Sequence, residues 1–267
     1  MLKATFQCFR GIGPTAEQKL WQRGCLCWRD FRNGGADFLS PRKRELVGEQ
    51  LAAAESALAA GLADWFLNRL SGSAKLRLLH DFADRALFLD IETTGLEPFY
   101  DEVTTVATWR NGIGQCFVRG FNLELLLPEL ATAELLVTFN GSRFDLPFLR
   151  QEFGIDLMQP HLDLMYPMRS LGYRGGLKVC ERQLGFRRTH SEGADGMEAV
   201  RLWYAWRRRR NTDALRRLIA YNLEDTYCLA WLAARLSGHA MSDYPLTCRR
   251  PPPPPPEITG ILENLAL

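Results

Sequence analysis

The sequence predicts an α/β fold, a mixed β-sheet flanked by helices, with a small helical region ahead of it. Three observations carry this expectation. Near residue 84 the pattern changes from helical spacing to short apolar strands, beginning with RALFLDIE. Two further strand-like segments, DEVTTVATWR and IGQCFVRGF, bracket Asn111-Gly112, a strong two-residue hairpin signal. Helical and strand-like stretches then alternate, as they do where helices cover a mixed sheet.

Residues 1–80 read as a helical N-terminal region separate from the rest. FRGIGPTAEQKLWQRG has a glycine-flanked turn, Pro14 at a first helical position, and apolar residues resuming at Leu20 and Trp21. The stretch 11–21 resembles one helix-hairpin-helix unit, whose turn offers backbone N–H groups to a phosphate. Glu17 stands where that motif usually has a small residue. A second long helix is expected over 45–70. The main domain is expected at 84–240, with three meandering strands, helical signals near 122–132 and a strand LLVTF ending at Asn140-Gly141. A short helix from about 145, a strand in HLDLM, and helices near 176–184, 196–210 and 212–236 follow. Residues 241–267 form a tail whose six prolines at 251–256 can only be polyproline II or a stiff linker, open to a proline-reading protein partner.

With 46% apolar and 24% charged residues, the chain has the composition of an ordinary globular protein. No apolar run reaches membrane-spanning length, and LAAAESALAAGLADWFLNRL is interrupted by Glu55 and Asp64. The N-terminal MLKATFQCFRG lacks a signal-peptide segment, so a cytoplasmic location and no membrane partner are expected. Seven irregularly spaced cysteines argue against a disulfide framework, and the Cys25/Cys27 pair has no matching second pair for zinc. Only five of the 33 basic residues are lysine. Arginines cluster at 187–188, 207–210 and 216–217, and their planar fork suits phosphate oxygens.

The chemistry concentrates in three short acidic motifs: FLDIETTGLEP at 88–98, VTFNGSRFDLPFL at 137–149 and YNLEDT at 221–226. Strand alternation puts Asp90 and Glu92 on one face, with Leu89 and Ile91 on the other. Thr93-Thr94-Gly95 then makes a turn where a substrate backbone can come close. Asp145 falls at a helix start, where the helix dipole favours a carboxylate and simple capping is an alternative role. Tyr221 and Asp225, four apart on a helix, share a face. Each motif alone has a structural explanation, since acid pairs at strand ends and i,i+4 pairs on helices are often merely solvated. An unpaired carboxylate in apolar surroundings is costly, however, and several converging carboxylates form a site for a hard cation.

Together, in this order and spacing, the motifs resemble those of the DEDD exonucleases of the ribonuclease H-like superfamily, in its tyrosine-bearing branch. The wording is closest to the bacterial YprB-type ribonuclease H-like proteins. The resemblance covers residues 84–237 and leaves 1–80 and the tail unexplained. It implies two divalent ions, Mg²⁺ or Mn²⁺, held by Asp90, Glu92, Asp145 and Asp225, and hydrolysis of DNA or RNA from a 3′ end, most simply a single-stranded one. Tyr221 would orient the attacking water. The other branch uses a histidine five residues before the last aspartate, and position 220 here is alanine. The resemblance also makes Asn140 and Asp163 candidates for contact with substrate or for support of the site, beside Thr93 and Gly95. Phe139 and Phe144 could wall the pocket or pack in the core. Arg174, Lys178, Arg187 and Arg188 could guide a strand by its phosphates. A structure-selective endonuclease on the same fold, or an inactive nucleic-acid-binding scaffold, are the competing readings.

Overall fold

A computed structural model describes residues 1–189 and 196–239, without the side chains of the last two. His190, the proline run and the rest of the expected tail lie outside the described residues. The N-terminal region contains α1 (Pro14–Gln22), α2 (Trp28–Arg32), α3 (Pro41–Ala59), α4 (Ala63–Leu67) and α5 (Leu78–Asp81). The sheet follows, with β1 (Ala86–Thr93), β2 (Val103–Arg110) and β3 (Ile113–Val118). After α6 (Leu126–Ala131) come β4 (Leu135–Thr138), α7 (Asp145–Phe153), β5 (His161–Asp163) and α8 (Met165–Ser170). Last are α9 (Leu177–Leu184), α10 (Gly196–Arg209) and α11 (Thr212–His239).

The five strands lie in the order β3-β2-β1-β4-β5. β1 is antiparallel to β2 and parallel to β4, and β4 is parallel to β5, so the sheet is mixed as expected. Asn111 and Gly112 join β2 to β3 with φ of 52° and 83°. Positive φ at both central residues makes the type I′ geometry that matches strand twist.

Alternation along β1 divides the molecule. Leu87, Leu89 and Ile91 join Leu126, Leu130, Leu146 and Leu149 in a core under α6 and α7. Ala86 and Phe88 face the other way, into a cluster that includes Trp28, Phe66 and Leu76 from the N-terminal region and Leu229, Leu232 and Leu236 of α11. The N-terminal helices and the sheet therefore share one continuous apolar core. Each such side chain contributes about 1.5–3 kcal/mol by leaving water. Asp90 and Glu92 continue the Ala86–Phe88 face beyond this apolar part.

The single helix expected over 45–70 is two helices. Gly61, at φ +69°, ends α3, and the Leu62 N–H returns to the Ala57 carbonyl at 2.9 Å. This is the left-handed glycine stop of a Schellman turn, which apolar periodicity on both sides conceals. The turn before α1 follows only a three-residue 3-10 helix, Leu2–Ala4. Glu17 is buried, accepts the N–H groups of Phe6 (2.6 Å) and Gln7 (3.1 Å), and pairs with Arg77 at 2.9 Å. The six cysteines among the described residues are free thiols. No described helix is long and apolar enough to cross a membrane.

Candidate metal centre

The centre is assembled at the C-terminal end of β1 by the helix that crosses it. Residues two apart on a strand point the same way, so Asp90 and Glu92 face α11 together. Tyr221, Asn222 and Asp225 lie on the turn of α11 above them. A carboxylate oxygen from each of Asp90, Glu92 and Asp225 lies within 4.8 Å of the others. Asp145 is not part of that tight group. It is the first residue of α7, and its Oδ1 is buried with no hydrogen-bond partner.

Asp145 is carried there by a strained junction after β4. Asn140 adopts φ +63°, a left-handed conformation that asparagine tolerates better than most residues. A Cβ at Gly141 would collide with the Thr138 side chain, whose own Cβ would lie 2.6 Å away. Asp163 ties the junction down. Its carboxylate accepts the Asn140 N–H (2.8 Å), the Ser142 N–H (3.2 Å) and hydroxyl (2.8 Å), and the Met165 N–H (3.1 Å).

The carboxylates strain one another. Burial raises Asp90 above the ordinary carboxylate range, and the charges of Asp225, Asp145 and Glu92 add to it. Glu92 is raised by burial and by Asp225, against the pull of Lys178. Burial pushes Asp145 up to about 7. Asp225 is pushed up to about 6 by burial, with Arg188 opposing. Such a cluster stays protonated or takes up cations. Oxygen donors only, on opposed elements, with one buried oxygen lacking a partner, fit a hard divalent ion.

Two organic cations face the acids. The Lys178 ammonium donates to the Tyr221 hydroxyl at 2.8 Å and lies 4.5 Å from the centre of its ring. Burial, then the charges of Asp225, Glu92 and Asp90, push the Tyr221 phenol upward, so it keeps its proton. Arg188 makes ion pairs with Glu181 and Asp225. Asn222 supports Asp90, donating to its Oδ2 at 2.8 Å and its carbonyl at 3.2 Å, while accepting from Thr105 at 2.9 Å.

The remaining candidates are placed as follows. Thr93 donates to the Gly95 carbonyl, and the Asp101 carboxylate occupies the space where Gly95 would carry a Cβ. The close approach at that glycine is thus made by the chain itself. Arg174 and Arg187 are exposed. Phe139 packs against the core shared with the N-terminal region, and Phe144 against Phe148 with ring centres 4.9 Å apart. Asn222 and Glu181 had no assigned role in the sequence. For Asn222 a signal was available, since it lies three residues before Asp225 and so on the same helical face.

The family model of the RNase H superfamily matches residues 87–237, which includes every element of the centre. The chain belongs to that superfamily. Among solved structures, this superfamily member is similar to the family B DNA polymerase of the hyperthermophilic archaeon Pyrobaculum calidifontis, at 15% identity and a TM-score of 0.45. That match covers 59% of this chain and 26% of the polymerase, so it spans about a quarter of the polymerase's length. It is also similar to Brucella melitensis NrnC, at 22% identity and a TM-score of 0.32, over 61% of this chain and 89% of NrnC. NrnC structures with bound Mg²⁺ and bound to pGG match over the same shares, at 21% and 22% identity. No curated protein matches the chain.

Proposed function

We propose that this protein is a divalent-metal-dependent nuclease, a 3′–5′ exonuclease of the tyrosine-bearing DEDD branch akin to the YprB-type proteins, hydrolysing phosphodiester bonds of DNA or RNA. The observation that carries the reading is the convergence of Asp90, Glu92 and Asp225 within 4.8 Å, from a strand and a helix far apart in sequence. Asp145, with its unpartnered buried oxygen, completes the set of four.

In this reading Asp90, Glu92, Asp145 and Asp225 hold two Mg²⁺ or Mn²⁺ ions. Bound there, such ions would lower the pKa of a water, so that it attacks phosphorus as hydroxide, and would supply a counter-charge for the leaving oxygen. The protein's own groups do the rest. Tyr221, held protonated, donates its hydroxyl hydrogen to the attacking oxygen and fixes its direction; it is a poor base and a good donor. Lys178 donates to the phenol oxygen and so settles which way the Tyr221 hydrogen points. Asn222 fixes the Asp90 carboxylate, and Asp163 fixes the junction that delivers Asp145. Arg174, exposed before α9, would meet backbone phosphates of a single strand in this reading.

The test uses end-labelled single- and double-stranded DNA and RNA with Mg²⁺, Mn²⁺ or chelator, beside Asp90→Asn. A ladder shortening from the 3′ end, abolished by chelator and by Asp90→Asn, is the expected result. Internal cuts would identify an endonuclease instead. Binding without cleavage under every condition would leave a nucleic-acid-binding scaffold.

A further inference from the structure

The least expected group at the centre is Arg188. It follows α9, which ends at Gly185 (φ +83°) in a left-handed stop, with the Phe186 N–H returning to the Glu181 carbonyl at 3.0 Å. The turn folds the chain back along its own helix. Phe186 anchors it between Tyr227 and Trp231, with ring centres 5.8 and 5.3 Å away. Arg188 is thereby delivered, 8% exposed, between Glu181 at 3% and Asp225 at 9%.

Its three donor arms are divided unequally. Nε donates to Glu181 Oε2 at 2.8 Å and Nη2 pairs with Glu181 Oε1, a bidentate grip. Only Nη1 reaches Asp225, at Oδ1. Bidentate arginine–carboxylate pairs are the strong form, so the single arm on Asp225 is the one that yields. A divalent ion held by Asp90, Glu92 and Asp225 would face that arm as a like charge at close range in poorly screened surroundings, where such repulsion is large.

We infer that Arg188 is a resident counter-cation of the carboxylate cluster that sets its metal affinity: a divalent ion displaces its arm from Asp225, and Glu181 retains the guanidinium beside the site. The inference rests on the metal-site reading above. Arg188 neutralises Asp225 while the ion is away and makes loading an exchange of one cation for another. Glu181, which would not touch the metal, then governs affinity by competing with Asp225 for the same guanidinium.

Mn²⁺ binding to the full chain, read from the electron paramagnetic resonance signal of free Mn²⁺, tests this without measuring activity. Arg188→Gln is expected to bind Mn²⁺ about tenfold more tightly, because one competing buried ion-pair contact is gone. That variant strands a buried Glu181 charge, so the double variant Glu181→Gln with Arg188→Gln serves if it folds poorly, and the same tightening is expected. Glu181→Gln alone should act the opposite way and weaken binding, because the bidentate grip that draws the guanidinium away from Asp225 is lost. Unchanged or weaker binding in both Arg188 variants, with binding still abolished by Asp90→Asn, overturns the inference and leaves the metal site standing. No Mn²⁺ bound by the unaltered protein overturns both.

Discussion

The Lys178 ammonium donates to the hydroxyl of Tyr221 at 2.8 Å, across 43 residues of sequence. This contact gives the phenol a fixed acceptor role toward Lys178 and leaves its single hydrogen for another partner. If that partner is the attacking oxygen, Tyr221→Phe should lower kcat by about 10²-fold, the usual range for a positioned proton-handling group. KM should change little. Lys178→Met should lower kcat less, because the tyrosine keeps its hydrogen and loses only its aim. Steady-state kinetics on a labelled oligonucleotide separate the two parameters.

Acidity and metal should trade places in stabilising the fold. Asp145 is raised to about 7 and Asp225 to about 6, both from an ordinary value of 3.8. Between those limits the folded state binds more protons than the unfolded one, so stability falls as pH rises from about 4 to about 7. In chelator, Tm should therefore be higher near pH 5 than near pH 7.5. Saturating Mg²⁺ should raise Tm most at the upper pH, where the carboxylates are free to bind it. Thermal unfolding across this range, with and without Mg²⁺, checks the sign.

Gly141→Ala should damage the site through the backbone. The new Cβ meets the Thr138 side chain with no room to retreat, since Thr138 is fully buried. Overpacking of this kind costs about 1–3 kcal/mol. Urea unfolding should show that loss, and Mn²⁺ affinity should fall because Asp145 follows directly on the same junction. Gly112→Ala, at an open turn far from the centre, should leave Mn²⁺ affinity unchanged.

Glu17→Leu is expected to destabilise without touching the chemistry. It removes the acceptor of two backbone N–H groups and the carboxylate that pairs with the buried Arg77. Breaking one side of a buried pair costs about 3–5 kcal/mol. Denaturant unfolding should show this, while the folded fraction keeps its Mn²⁺ affinity.

What could be read from the sequence was local. Asn111-Gly112 announces its turn because two successive left-handed residues need those side chains, whatever surrounds them. Asp90 and Glu92 announce a shared face because strand alternation is fixed by backbone geometry. The apolar stripes of 1–80 gave no hint of what they cover, since periodicity shows that a face is buried and not against which partner. The Arg188–Glu181 pair was equally hidden, and for Asn222 helical spacing showed the face it shares with Asp225 but not its bond to Asp90. Both contacts join residues brought together only by the turn after α9 and by the crossing of α11 over β1. Gly61 shows the limit on helices, where one left-handed residue ended a pattern that periodicity alone would have continued.

α11 carries Tyr221 and Asp225 on one stretch and Leu229, Leu232 and Leu236 on the next, the latter packed with Phe66, Leu76 and Leu78 from the N-terminal region. The helix is a single rod, seated along its C-terminal half in that region and carrying the acid near its middle. Removing residues 1–80 would do more than shorten the chain. It would strip the socket that seats the C-terminal half of α11, leaving the distance from Asp225 to Asp90 to the sheet beneath and to α10.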